Sequence, residues 1–258
     1  MNIAKQMESY LTASFDRTGH KSSGKFYMSD MGKCMRMRYI KRKGVSSTFK
    51  PYVNWLLQIG NLLHDYGYKA LESKGLLLEA EDSFETEHFK GRFDGIIKNG
   101  KEKSLFDFKS VGGWKLNKYV AGNDDETNIA QVLGSVMLLL REGKDINKTG
   151  YLVYMNKEPG DKSPYSFIQK EYHLTTRREQ QLDEEMNTLT KYWLNEKLPP
   201  CTCPGWMKPY NSYLPFCKST DKEAKSYLKY LEQGKQLVST NKTLTLIDGD
   251  KRKIIKKL

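Results

Sequence analysis

Residues 91–110 read GRFDGIIKNGKEKSLFDFKS, two short apolar strands around an Asn-Gly turn, with Asp94, Asp107 and Lys109 standing among the residues a strand would bury. If Asn99-Gly100 forms a two-residue hairpin loop, Lys98 pairs with Lys101 and Asp94 faces Leu105. Side chains alternate along a strand, so Asp94, Leu105, Asp107 and Lys109 share one face. A four-residue loop sets Asp94 directly opposite Asp107 and keeps that shared face; only a three-residue loop breaks it. Diagonal neighbours lie about 7–8 Å apart, within reach of one ion. Two clustered carboxylates repel and are costly to bury, so the pattern calls for a cation, and oxygen ligands of this kind suit Mg²⁺ or Mn²⁺. Lys109 would hold or activate a water beside it. The competing reading is an amphipathic hairpin with these three side chains in solvent and Phe93, Phe106 and Phe108 buried opposite.

Outward from this stretch, VNWLLQIGNLLHDYGYKALESKG has apolar residues at helical spacing and predicts a helix over about 53–73, ending near Gly75. Strand-like runs follow before and after residues 91–110, then GYLVYMNK and YSFIQKEYHL. Between the two strand groups DDETNIAQVLGSVMLLLREGK predicts a helix, acidic at its start and basic at its end. TTRREQQLDEEMNTLTKYWLNEK predicts another, stopped by Pro199 and Pro200. Strands interleaved with helices give an α/β fold with a central mixed β-sheet. The end, TLTLIDGDKRKIIKKL, reads as a basic hairpin around Asp248-Gly249 or a basic tail. A main domain over 1–220 with an appendage over 221–258 is the expected division.

With 43 Lys+Arg against 31 Asp+Glu, the net charge of +12 favours an anionic partner such as nucleic acid. No apolar run reaches a membrane-spanning length and the start lacks a signal-peptide pattern, so a cytoplasmic protein, cellular or phage-encoded, is expected. In a reducing compartment the four cysteines, Cys34 alone and Cys201, Cys203 and Cys217 grouped, are expected to be ligands or buried thiols. They suit an iron–sulfur cluster or a tetrahedral Zn²⁺.

Four motifs in order carry a resemblance. MSDMGKCMRMRY holds Ser29, Cys34 and Tyr39; GNLLHDYGYKAL holds Gly60 and His64; GRFDGII holds Asp94; DFK holds Asp107 and Lys109. Across most of residues 28–217 the chain resembles the PD-(D/E)xK nuclease superfamily, and within it the RecB-like, CRISPR-associated iron–sulfur and AddB-type exonucleases. Phe93 stands where the superfamily has proline, and Ser135 where a tyrosine follows Gln131. The cysteine spacing also departs from the family's, with Cys201-Thr-Cys203 and then Cys217.

The resemblance implies a restriction-endonuclease-like core closed by a cysteine-bound centre that joins the amino- and carboxy-terminal segments. It implies a DNA exonuclease acting on single strands or ends in recombination, repair, replication or spacer processing, with a protein partner from one of those pathways. His64, Asp94, Asp107 and the carbonyl of Phe108 would hold Mg²⁺ or Mn²⁺, Lys109 would act beside them, and Cys34, Cys201, Cys203 and Cys217 would hold a [4Fe-4S] cluster, with Zn²⁺ the alternative. Gln131 is expected near the lysine or the DNA, and Arg36, Arg38, Lys41 and Arg42 on phosphates. Trp114 and Tyr119 are candidates to stack unpaired bases. A restriction-type endonuclease, or a non-catalytic DNA-binding protein on the same scaffold, are the rival readings.

Overall fold

The computed structural model describes residues 3–14, 22–48, 51–203, 205 and 211–258. The chain forms two compact units, one of Tyr27–Gly32 and Leu56–Glu185, the other of Met1–Phe26, Lys33–Trp55 and Met186–Leu258. The boundary falls inside two long helices, α3 (Pro51–Ser73) and α6 (Thr176–Leu194).

The first unit is organised on a mixed sheet of β1 (Phe26–Tyr27), β3 (Leu77–Glu85), β4 (Phe89–Asn99), β5 (Glu102–Val111), β6 (Thr149–Asn156) and β7 (Phe167–His173). Its order is β1-β4-β5-β6-β7, with β3 pairing off that path with β4. β5 and β6 are parallel and the pairs β3/β4, β4/β5 and β6/β7 antiparallel. A parallel pair needs a crossover, supplied here by α4 (Gly113–Val120) and α5 (Glu126–Arg141). α5 starts where the Asp125 carboxylate accepts the Thr127 N–H at 3.1 Å, and it buries Val132, Leu133, Val136 and Met137.

Helix α3 lies against Phe106 and Phe108 of β5, where Leu63, Tyr68 and Leu71 pack. Two glycines permit the close approach. A Cβ on Gly67 would meet the Phe108 ring at 2.6 Å, and one on Gly60 would meet Ser110 Oγ at 3.0 Å. His64 lies between them, which brings its imidazole down to the level of the sheet.

The β4–β5 turn differs from the two-residue Asn99-Gly100 loop. Asn99 is still paired with Glu102, so the loop is Gly100-Lys101, with Gly100 at φ 63°. Glycine at positive φ in the first loop position, followed by a residue without it, is the II′ pattern. The register is therefore the one that sets Asp94 opposite Asp107. The carboxy-terminal hairpin shows the same offset: Lys251 pairs with Asp248 around Gly249-Asp250, and Gly249 has φ 58°.

The second unit contains α1 (Ile3–Ser14), α2 (Met35–Arg42), α7 (Leu214–Cys217), α8 (Asp221–Glu232) and a four-stranded sheet. That sheet comprises β2 (Ser46–Ser47), β8 (Gln236–Ser239), β9 (Thr243–Asp248) and β10 (Lys251–Lys257), in the order β10-β9-β8-β2. Met37, Ile40, Phe216, Leu237 and Leu244 are in its core. β8 pairs in parallel with β2, which draws the last segment into the same core as α2. Among the described residues no helix is long and apolar enough to cross a membrane.

Candidate functional sites

The pairing of β4 with β5 ends at Gly95 and Phe106; beyond that point β4 continues along β3 to Lys90 and β5 along β6 to Val111. Asp94 and Asp107 occupy the first positions past the fork. There the Asp94 carboxylate replaces a ladder partner, its Oδ2 accepting the Phe108 N–H at 2.6 Å. His64 Nδ1 lies 3.7 Å from the same oxygen. β5 is buried on both faces over Ser104–Phe108, and Asp107 is 4% exposed, which rules out the solvent-facing hairpin.

Asp107 and Lys109 share the α5 side with Gln131. The Lys109 ammonium donates to Gln131 Oε1 at 3.0 Å, and Gln131 Nε2 donates to Asp107 Oδ1 at 3.1 Å. Lys109 Nζ is also 2.5 Å from Asp107 Oδ2, an ion pair with a buried carboxylate. Burial, with the Asp107 charge second, pushes the Asp94 carboxyl up to about 7. Burial also lowers His64, leaving a neutral imidazole with a free lone pair at neutral pH. Two neighbouring buried carboxyls, one of them raised by burial to about 7, and a neutral imidazole fit an oxygen-preferring divalent cation.

One acid escaped the sequence reading. Glu81 lies between the pairs Ala80–Gly95 and Asp82–Phe93, and so opposite Asp94, at φ 45°. Its carboxylate pairs with Arg92, and its charge adds to the burial that raises Asp94 and Tyr68. The acidic run LEAED was visible, but the irregularity in β3 that sets its register was not.

In the second unit, Cys34, Cys201, Cys203 and Cys217 come together, all four sulfurs within 4.8 Å of one another. Cys34 Sγ is 3.9 Å from those of Cys201 and Cys217, and Cys203 Sγ is 3.7 Å from that of Cys217. Among the described residues this is the one group of three or more His, Cys, Asp or Glu ligand atoms so closely gathered. Hydrogen bonds from Cys203 and Cys217 hold the Cys34 thiol far below its usual range, and contacts with Cys203 and then Cys34 push Cys217 far above it. Cys34, Cys203 and Cys217 titrate as one system, and a cation is what would let them ionise together.

The basic stretch of α2 is not a phosphate surface. Arg36, Arg38 and Arg42 are buried, and only Lys41 of the four is half-buried. Arg36 donates to the carbonyls of Pro199 at 2.8 Å, Ser219 at 3.0 Å and Phe216 at 3.4 Å, and to Asp221 at 2.6 Å. Arg42 lies 3.9 Å from the Trp193 ring centroid and 4.4 Å from that of Phe26. These guanidinium groups join α2 to its own core. Tyr119 is likewise buried, against Tyr154, whereas Trp114 is 73% exposed with the Lys118 ammonium 3.9 Å over its ring.

No family model matches the chain, and no curated protein matches it in sequence. Solved structures similar to it include SSO0001, at 16% identity and a TM-score of 0.45 over 85% of this chain and 97% of that one. An alkaline exonuclease (LHK-Exo) from Laribacter hongkongensis is similar at 14% identity and a TM-score of 0.45, over 88% and 97% of the two chains. LHK-Exo in complex with dAMP gives 12%, 0.42, 82% and 93%.

Proposed function

We propose that this chain is a metal-dependent deoxyribonuclease of restriction-endonuclease-like fold that shortens DNA from its ends, with single strands the preferred form. The observation that carries the reading is the fork between β4 and β5, where Asp94, Asp107 and His64 meet and Gln131 fixes Lys109. His64, Asp94, Asp107 and the Phe108 carbonyl would hold Mg²⁺ or Mn²⁺. Such an ion supplies Lewis acidity at the phosphodiester and an acidified water.

The rest falls to the protein. The Phe108 N–H pins Asp94, so the carboxylate does not search for its position. Gln131 donates to Asp107 and accepts from Lys109, holding acid and base in one fixed line. The Lys109 ammonium orients the attacking water in line with the leaving oxygen and offsets the charge that grows on the phosphate. The net charge of +12 steers DNA to the protein, and Trp114 offers an exposed ring on which an unpaired base would stack.

The test is degradation of end-labelled single-stranded DNA with Mn²⁺ or Mg²⁺ by the wild type and by Lys109→Ala. Loss of cleavage in the variant with DNA binding retained supports the reading. Discrete fragments from a closed circular duplex would instead favour a restriction-type endonuclease. DNA binding by the wild type with no turnover on either substrate would leave a binding protein on this scaffold.

A further inference from the structure

The four-cysteine centre has a geometry of its own. Four thiolates about 2.3 Å from one tetrahedral ion stand about 3.8 Å from each other. The separations here are 3.7, 3.9 and 3.9 Å, and no pair of these sulfurs exceeds 4.8 Å. In a four-iron cubane each thiolate binds a different iron, which spreads the sulfurs to roughly 6 Å. The residues as arranged fit a single ion and do not fit the [4Fe-4S] cluster that the family resemblance implied.

A second observation concerns Asn211, which is 3% exposed. Its Oδ1 accepts the Tyr213 N–H at 2.8 Å, which fixes the orientation of the amide. Nδ2 therefore points at the sulfurs, 3.0 Å from Cys203 and 3.3 Å from Cys217. Both amide hydrogens are spent on the thiol ligands, an arrangement strongest where those sulfurs carry negative charge. Arg36 adds rigidity by holding the carbonyls of Pro199, Phe216 and Ser219, on the backbone next to Cys201 and Cys217.

We propose that Cys34, Cys201, Cys203 and Cys217 bind one Zn²⁺ ion, and that Asn211 is a positioning residue that slows its release by donating to two of the thiolates. A tetrahedral all-thiolate set with no open position is a structural zinc site. Four thiolates leave a zinc centre with an excess of negative charge, and the two N–H donors disperse part of it. Asn211 thereby holds the ligand sulfurs in their ionised, metal-bound form.

The experiment uses the full chain, purified anaerobically from cells supplied with both iron and zinc, and measures metal and acid-labile sulfide per chain. One zinc per chain, no sulfide and a colourless protein are expected, and exchange with Co²⁺ should give the intense visible bands of a tetrahedral thiolate site. Stoichiometric iron, with or without sulfide, or a chain carrying no metal overturns the assignment. Asn211→Ala should keep the single zinc and release it to a chelating dye about 10–100-fold faster. Asn211→Asp, which keeps the acceptor for Tyr213 and removes the donors, should also release it faster and keeps the test open if the alanine variant misfolds. An unchanged release rate overturns the role of Asn211. The assignment is independent of the nuclease reading: an active nuclease carrying iron refutes the zinc alone, and an inactive protein carrying one zinc refutes the nuclease alone.

Discussion

Replacing Asp94 by asparagine should make the metal-free protein more stable in alkali while abolishing cleavage. Burial, with Asp107 beside it, raises this carboxyl from 3.8 to about 7. An acid whose folded pKa is raised leaves stability intact below its unfolded value and costs it progressively as pH rises through the folded value. The full rise corresponds to about 4 kcal/mol at 1.36 kcal/mol per tenfold step. The carboxylate side chain is 18% exposed, and water reaching it would leave about half of that, roughly 2 kcal/mol, to be felt at pH 9. Asparagine keeps an acceptor for the Phe108 N–H, so the change isolates the charge. Thermal unfolding in EDTA should show Asp94→Asn melting about 4–8 °C above the wild type at pH 9. The gap should close near pH 4. Saturating Mn²⁺ should raise the wild type and leave the variant where it was. A variant no more stable than the wild type at pH 9, or a gap that does not change with pH, would refute the argument that burial opposes the charge on Asp94.

Three further outcomes follow from other contacts. Gly67→Ala should lose about 1–3 kcal/mol in urea unfolding, because the new methyl meets Phe108 and Met155 at 2.5–2.6 Å and α3 must lift from β5. Gln131→Leu leaves Lys109 held by Asp107 alone and should lower kcat on single-stranded DNA about 100-fold with little change in KM, measured by release of labelled nucleotide. Arg36→Met leaves the Pro199, Phe216 and Ser219 carbonyls without their donor. It should cost about 3 kcal/mol or more, read as a lower urea midpoint with DNA affinity unchanged.

Much of the first unit was legible in the sequence because local signals agree with the fold. The Asp125 cap and the apolar period of α5, the glycine ending α3 and the strand alternation of β4 all point one way. Asp94, Asp107 and Lys109 could be placed on one face from pairing rules alone. Of the two registers the sequence allowed, the structure takes the one with Asp94 opposite Asp107, because the glycine alone takes the positive φ and Asn99 stays paired. The arginines of α2 were misread because a charged run was classed by residue type. An eight-residue helix surrounded by protein can bury guanidinium groups when carbonyls and rings meet them, and no period reveals this. Glu81 and Asn211 were missed for a common reason, since each matters through a partner set by irregular backbone rather than by spacing.

The cysteine centre also has a place in time. Cys34 and Cys217 are 183 residues apart. At about 5–20 residues per second a ribosome takes roughly 10–40 s to travel between them. All of Leu56–Glu185 is synthesised within that interval, so the mixed sheet has its whole sequence before the last cysteine exists. The Cys34 thiol therefore waits through the synthesis of the sheet for the three sulfurs it will join. A nascent chain halted before residue 217 holds every residue of the β4–β5 fork and an incomplete set of thiols, so the fork can form before the ion can be fully held.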